Sequence, residues 1–328
     1  MTKKDRGQTL LLLAASLLLG LGLCEAALRI AGYAYTPLEI QAQQDSGDER
    51  RQHVFEDRHF IYDPELIWAP RRGVGVFNRD GYRGAPVDRP KPAGELRVLA
   101  LGDSNTLGWA GSDGANWPGY LENELRRVGR RPRVINAGVW GYASLQGLRR
   151  LRQYLSLEPD LVLISFGSND AHAVRIADRD FVAHRERRKG IETYLMTLRL
   201  GQLALAVAER LSGGDTAGEM RRRVSLEDYR ANLAAMIALA RGSGARVVFL
   251  TRPYIGESRD GLWWKNKGAA YNAATVEVAG AAGAPVIDLY TFFKDRPELF
   301  ADESHFTEEG HRLAAAIVFR HLLPLVVP

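Results

Sequence analysis

Five residues are suited to chemistry rather than packing: Ser104, Gly138, Asn169, Asp302 and His305. A neutral serine hydroxyl is a weak nucleophile and needs a base within hydrogen-bond reach. His305 can take its proton, and Asp302, three residues earlier, can hold the other ring nitrogen and fix tautomer and orientation. Attack on an acyl carbonyl also builds a negative oxygen that requires preorganised donors. The backbone N–H groups of Ser104 and Gly138 and the side-chain amide of Asn169 are the candidate donors. Each residue alone also has a plainer reading, as a turn serine, glycine or asparagine, or as a capping aspartate next to a surface histidine.

Their placement gives them weight. Short apolar runs at 96–101, 133–135, 161–165, 246–250 and 285–289 have the length and texture of buried parallel strands. Amphipathic stretches at 120–128, 145–155, 226–240, 269–279 and 308–321 alternate with them, so a parallel sheet covered by helices on both faces is expected. Ser225 before Asp228, and Thr307 before Glu308 and Glu309, supply helix-start chemistry. Ligands of such sheets sit beyond the carboxyl ends of the strands. The first run ends in Gly102-Asp103-Ser104-Asn105-Thr106, the second in Asn136-Ala137-Gly138 and the third in Gly167-Ser168-Asn169-Asp170. Asp302-Glu303-Ser304-His305 precedes the last helix.

On these motifs the chain resembles the SGNH/GDSL hydrolase family. Gly102-Asp103-Ser104 matches the first block, Gly138 the second, Gly167-x-Asn169-Asp170 the third and Asp302-x-x-His305 the fifth, over a stretch from about Leu96 to the C-terminus. The resemblance implies a flavodoxin-like three-layer α/β/α fold around a five-stranded parallel sheet. It also implies no metal or organic cofactor, and hydrolysis or transfer of acyl esters. Asn105 stands where the family name carries Leu, a departure expected to alter only local packing. The GxSxG elbow of α/β-hydrolases is absent.

Of the 328 residues, 46% are hydrophobic and 25% charged, an ordinary globular composition. The net charge of +5 comes from arginines spread over amphipathic segments, among them Arg126, Arg127, Arg130, Arg131 and Arg133, with no nucleic-acid motif. The single cysteine, Cys24, excludes an intramolecular disulfide and a thiolate metal cluster. Lys3, Lys4 and Arg6 precede an uncharged, largely apolar run from Thr9 to Leu23, which extends toward Ile30 with Glu25 and Arg29 spaced to pair. A positive N-terminus stays cytoplasmic, so residues 1–31 are expected to be a single-pass signal anchor in a bacterial inner membrane. The rest would then lie on the periplasmic or extracellular side. Cleavage of the segment as a signal peptide, giving a secreted chain, is the alternative.

Residues 32–93 read as a stalk and a loop-rich lead-in, rich in proline and turn residues, and 94–328 as the hydrolase domain. A helical insertion is expected at about 171–224, with an apolar segment at 191–211. Asp103, Asn105, Trp140, His172 and Tyr254 are candidate substrate-binding residues beside the strand ends. Tyr142, Trp263 and Trp264 are nearby aromatics able to stack on a sugar or simply to pack. The expected partners are an acylated small molecule or glycan and, through the N-terminal segment, the membrane. The leading expectation is removal of small acyl groups, acetyl above all, from envelope or extracellular carbohydrate. An O-acyltransferase using the same triad, a lipid-ester hydrolase and a non-catalytic glycan-binding module are the alternatives.

Overall fold

The computed structural model describes residues 3–33, 59–63, 65–108, 116–174, 176–187, 190, 194–195, 197–211, 221–255 and 264–326. Its centre is a five-stranded parallel sheet made of β3 (Glu95–Gly102), β4 (Arg131–Asn136), β5 (Leu161–Ser165), β8 (Arg246–Leu250) and β9 (Val286–Ile287). The spatial order is β4-β3-β5-β8-β9. Counted along the chain this is 2-1-3-4-5, the flavodoxin-like order, and it reverses between β3 and β5.

The strands are buried on both faces. Val98 and Ala100 of β3 pack with α3 (Trp117–Arg127) and α10 (Glu308–Val326), whereas Leu99 and Leu101 face α4 (Ser144–Tyr154), α7 (Leu226–Gly242) and α8 (Trp264–Ala281). The expected three layers are therefore present. Helix α3 starts earlier than its apolar period indicated, because Asn116 caps it by accepting the Gly119 N–H at 2.8 Å and Pro118 suits the first turn. Ser225 caps α7 through the Asp228 N–H at 3.0 Å.

Before the sheet come α1 (Lys3–Ile30) and an antiparallel hairpin, β1 (Phe60–Asp63) with β2 (Ile67–Pro70). The hairpin lies in a stretch that reads as irregular from its composition. Asp63 Oδ1 closes its turn by accepting the N–H groups of Glu65 and Leu66, both at 2.8 Å. Phe60, Leu66, Ile67, Trp68, Phe77 and Tyr82 all join the core on the α4 side of the sheet.

Between β5 and α7 the chain forms β6 (Ala173–Val174), α5 (Asp178–Arg187), α6 (Arg199–Leu211) and β7 (Arg221–Arg222). Antiparallel pairing of β6 with β7 brings the two ends of this segment together. Two further short α-helices are α2 (Ser104–Leu107), directly after β3, and α9 (Leu289–Phe293), after β9.

Candidate active site

Ser104 is the first residue of α2, at the carboxyl end of β3 and beside the point where strand order reverses. Its Oγ lies 2.7 Å from His305 Nε2, and His305 Nδ1 lies 2.7 Å from Asp302 Oδ2. With Nδ1–H donated to the carboxylate, Nε2 is left as an acceptor for the serine hydroxyl, the arrangement a general base requires. Asp302 is held in turn, because its Oδ1 accepts the N–H groups of Ser304 and His305, each at 2.9 Å. Burial alone would raise the Asp302 pKa. The bonds from His305 and from the two N–H groups outweigh it and hold the carboxyl well below the usual carboxylate range.

The neighbours of Ser104 have structural work. Asp103 is buried, caps α2 through the Asn105 N–H at 2.9 Å and pairs with the buried Arg252, Nε to Oδ2 2.8 Å. Arg252 also donates to the Ser304 carbonyl at 3.0 Å, and Asn272 accepts its backbone N–H. One guanidinium thus joins the serine turn to the histidine loop. Asn105 makes a second link by accepting the Phe306 N–H at 3.3 Å. Asp103 and Asn105, expected as substrate-binding candidates, support the serine turn and the histidine loop. The Asn105 departure does more than alter packing. Arg252 escapes a motif search because it is a lone arginine after β8 whose partners are far away in sequence.

One of the three expected oxyanion donors already has an acceptor. Gly138 N–H is already donated to Asn136 Oδ1 at 3.0 Å. A Cβ on Gly138 would meet Leu107 N at 2.2 Å, so this glycine allows β4's exit to pass against α2. The next glycine, Gly141, takes φ +69. Among the described residues, no hydrogen-bond acceptor is found for its N–H or for that of Ser104. Asn169 Nδ2 donates to the Tyr142 carbonyl at 2.9 Å, which sets its amide beside the Gly141 turn and leaves a second amide hydrogen for another acceptor.

This turn is tied at three consecutive carbonyls. Trp140 O accepts from Trp68 Nε1 at 3.1 Å, Gly141 O accepts from Arg223 Nη1 at 2.5 Å, and Tyr142 O accepts from Asn169. Tyr142 returns a bond from its hydroxyl to the Trp68 carbonyl at 2.7 Å. Arg223 is oriented by a buried pair with Asp178, Nε to Oδ1 2.9 Å, and its guanidinium lies 5.2 Å from the Trp68 ring centroid. Trp68 follows Ile67, a buried β-branched residue at φ +70, a conformation that persists only where the surroundings enforce it. Trp68 and Arg223 were missed in the sequence because they belong to the lead-in and to the end of the β5–α7 segment.

The sequence profile of the GDSL-like Lipase/Acylhydrolase family matches residues 100–313, well over half of the chain. The chain belongs to this family. An arylesterase of Vibrio mimicus is 40% identical over 75 residues, 23% of this chain and 38% of the relative. Esterase TesA of Pseudomonas aeruginosa is 31% identical over 109 residues, 31% of this chain and 54% of the relative. The chain thus spans about a third to a half of the length of the curated relatives it matches. The crystal structure of the lipase/acylhydrolase from Enterococcus faecalis superposes with a TM-score of 0.50 and 24% identity, over 70% of this chain and 96% of that one, which shows the shared fold.

The remaining candidates are spread around this family site. Trp140 is half-buried and flanks Gly141; His172 is buried just behind Asn169, with its backbone N–H on the Asn169 carbonyl at 3.3 Å. Tyr254 is buried after β8, its ring 4.8 Å from that of Tyr290. Trp263 lies outside the described residues, as does the Trp264 side chain.

Proposed function

We propose that the protein is a serine esterase. The observation that carries this reading is the continuous relay Ser104 Oγ, His305 Nε2, His305 Nδ1 and Asp302 Oδ2, with 2.7 Å at both hydrogen bonds. Ser104 Oγ attacks the acyl carbonyl as His305 Nε2 takes its proton, and the carbonyl π pair moves onto the oxygen. His305 then gives that proton to the leaving alkoxide as the C–O bond breaks, leaving an acyl-enzyme. Water, deprotonated by the same nitrogen, repeats the sequence and releases the acid. Asp302 keeps the imidazole in tautomer and stabilises its cation. The N–H groups of Ser104 and Gly141 and the free hydrogen of Asn169 Nδ2 are the proposed oxyanion donors.

The proposed substrate is a small acyl ester, acetyl above all, on envelope or extracellular carbohydrate. Half-buried Trp140 next to the donor turn supports it by offering an aromatic surface for a sugar ring. Helix α1 supports the envelope address: 25 residues, Arg6–Ile30, are long and apolar enough to cross a membrane and none of this span is buried in the protein. We read α1 as an uncleaved anchor, N-terminus inside. Rates for acetate through decanoate esters test the acyl group. A rise with each methylene, worth about 0.8 kcal/mol in an apolar pocket, would sink the acetyl assignment. A mature N-terminus beyond Ala26 would sink the anchor.

A further inference from the structure

We propose that α6 is a second membrane contact, lying in the interface of the same bilayer that α1 crosses, with Leu203, Ala204, Val207, Ala208 and Leu211 in the acyl-chain boundary. This rests on the reading of α1 as an anchor.

The expected pair of Arg29 Nε with Glu25 Oε1 forms at 2.6 Å, and both residues also reach α6. Glu25 Oε2 accepts the Leu200 N–H at 2.9 Å, in the first turn of α6, and Arg29 Nη2 donates to the Thr197 carbonyl at 3.1 Å. In α1 from Arg6 to Ile30 only Glu25 and Leu28 are half-buried, and every other side chain is exposed. Helix α6 therefore meets the last turns of α1 and leaves the rest of the spanning helix bare for lipid.

At 1.5 Å per residue, the 25 apolar-span residues of α1 reach about 37 Å, longer than a hydrocarbon core of about 30 Å. Glu25 and Arg29, near one end, then fall in the interfacial layer, and the start of α6 is fixed at that depth.

Among the residues of α6 whose exposure is described, the exposed ones are all apolar. Leu203, Val207 and Leu211 recur every four residues and are 37%, 49% and 82% exposed, with Ala204 and Ala208 exposed beside them. Gln202 is buried on the opposite side, and Gly201 is covered by the backbone of Leu195. Gln202 is thus turned inward while Leu203 and Leu211 face outward, the reverse of a water-facing helix. An amphipathic helix fixed at interfacial depth gains by burying such a stripe among acyl chains.

The test uses the full chain in vesicles of phosphatidylethanolamine and phosphatidylglycerol. In a Cys24→Ser background, single cysteines replace Leu17, Val207, Leu211 or the exposed Ser156, and each carries a polarity-sensitive fluorophore. At 207 and 211, nitroxide lipids should quench several-fold more strongly than at 156, and aqueous iodide several-fold more weakly. Iodide quenching at 207 and 211 equal to that at 156, with the label at 17 in lipid, would overturn the α6 contact while leaving the anchor intact. A label at 17 that is itself in water would remove the anchor and the α6 contact together.

Discussion

Replacing Trp68 by Phe tests whether the lead-in hairpin sets the position of the donor turn. The substitution keeps an aromatic ring against Tyr142 but deletes the Nε1–H that reaches the Trp140 carbonyl at 3.1 Å. A hydrogen bond of this kind contributes about 1 kcal/mol net, and a carbonyl left dry costs up to about 3 kcal/mol. Smaller ring area at a site only 4% exposed adds to the loss, so global stability should fall by about 2 to 3 kcal/mol. If half or more of the lost hydrogen-bond energy appears as freedom of the Gly141 N–H, transition-state binding falls by about 1 to 2 kcal/mol. That is roughly a 5- to 30-fold decrease in kcat, below the 10² or more expected for a donor removed outright. KM should change little, because the oxyanion exists only after attack. Phe60→Leu is the control: Phe60 packs against Phe77 in the same lead-in, and its ring carries no hydrogen-bonding group. Initial rates with an acetate ester, scaled to folded protein, should separate the two variants. Equal kcat values after scaling would refute a positioning role for Trp68 and leave it a core residue.

Other perturbations bear on the same site. Asn169→Ala should lower kcat by about 10² or more with KM nearly unchanged, read from steady-state ester kinetics. Asp103→Asn can keep the cap on α2 but strands the buried Arg252 guanidinium, so a stability loss of about 3 to 5 kcal/mol is expected in denaturant melts. Burial, followed by the charges of Arg83, His305 and Arg252, pushes His311 down to about 3 from 6.5. The unfolded chain therefore takes up a proton as pH falls below 6.5 while the folded one does not. Stability attributable to His311 should drop by roughly 2 to 3 kcal/mol between pH 7 and about pH 4.5. His311→Leu should flatten this part of the acid limb at little cost near neutrality, since among the described residues neither ring nitrogen has a hydrogen-bond partner; an unchanged acid limb would reject the assignment.

The sheet was legible because five apolar runs of strand length alternate with helical periods, and short-range chemistry such as the Ser225 cap repeats faithfully in the structure. What local patterns do not encode is which distant groups meet. Asp103 was a substrate-binding candidate from its place at a strand end, and nothing near it in the sequence announces its bond to Arg252, 149 positions away. Hairpin β1–β2 was invisible because Pro64 and its neighbours suggest loop, while an Asp63 side-chain turn and a strained Ile67 hold the strands against the core.

Gly138 and Gly141 show the limit most clearly. Both follow β4, both are glycines for a physical reason, and only the inventory of N–H groups separates them. A Cβ at Gly138 would collide with the backbone of the serine-bearing α2, so Gly138→Ala should act by displacing Ser104, with loss of folding and activity together. At Gly141 the backbone is left-handed and a Cβ would touch Trp68 at 3.0 Å, so Gly141→Ala should strain the turn while leaving α2 in place. Phosphonate labelling of Ser104 distinguishes the outcomes, because it requires the nucleophile as well as its donors. Folded Gly141→Ala protein should label slowly, at a rate reduced in proportion to its kcat. Folded Gly141→Ala protein that labels and turns over at the parental rate would take Gly141 out of the oxyanion site.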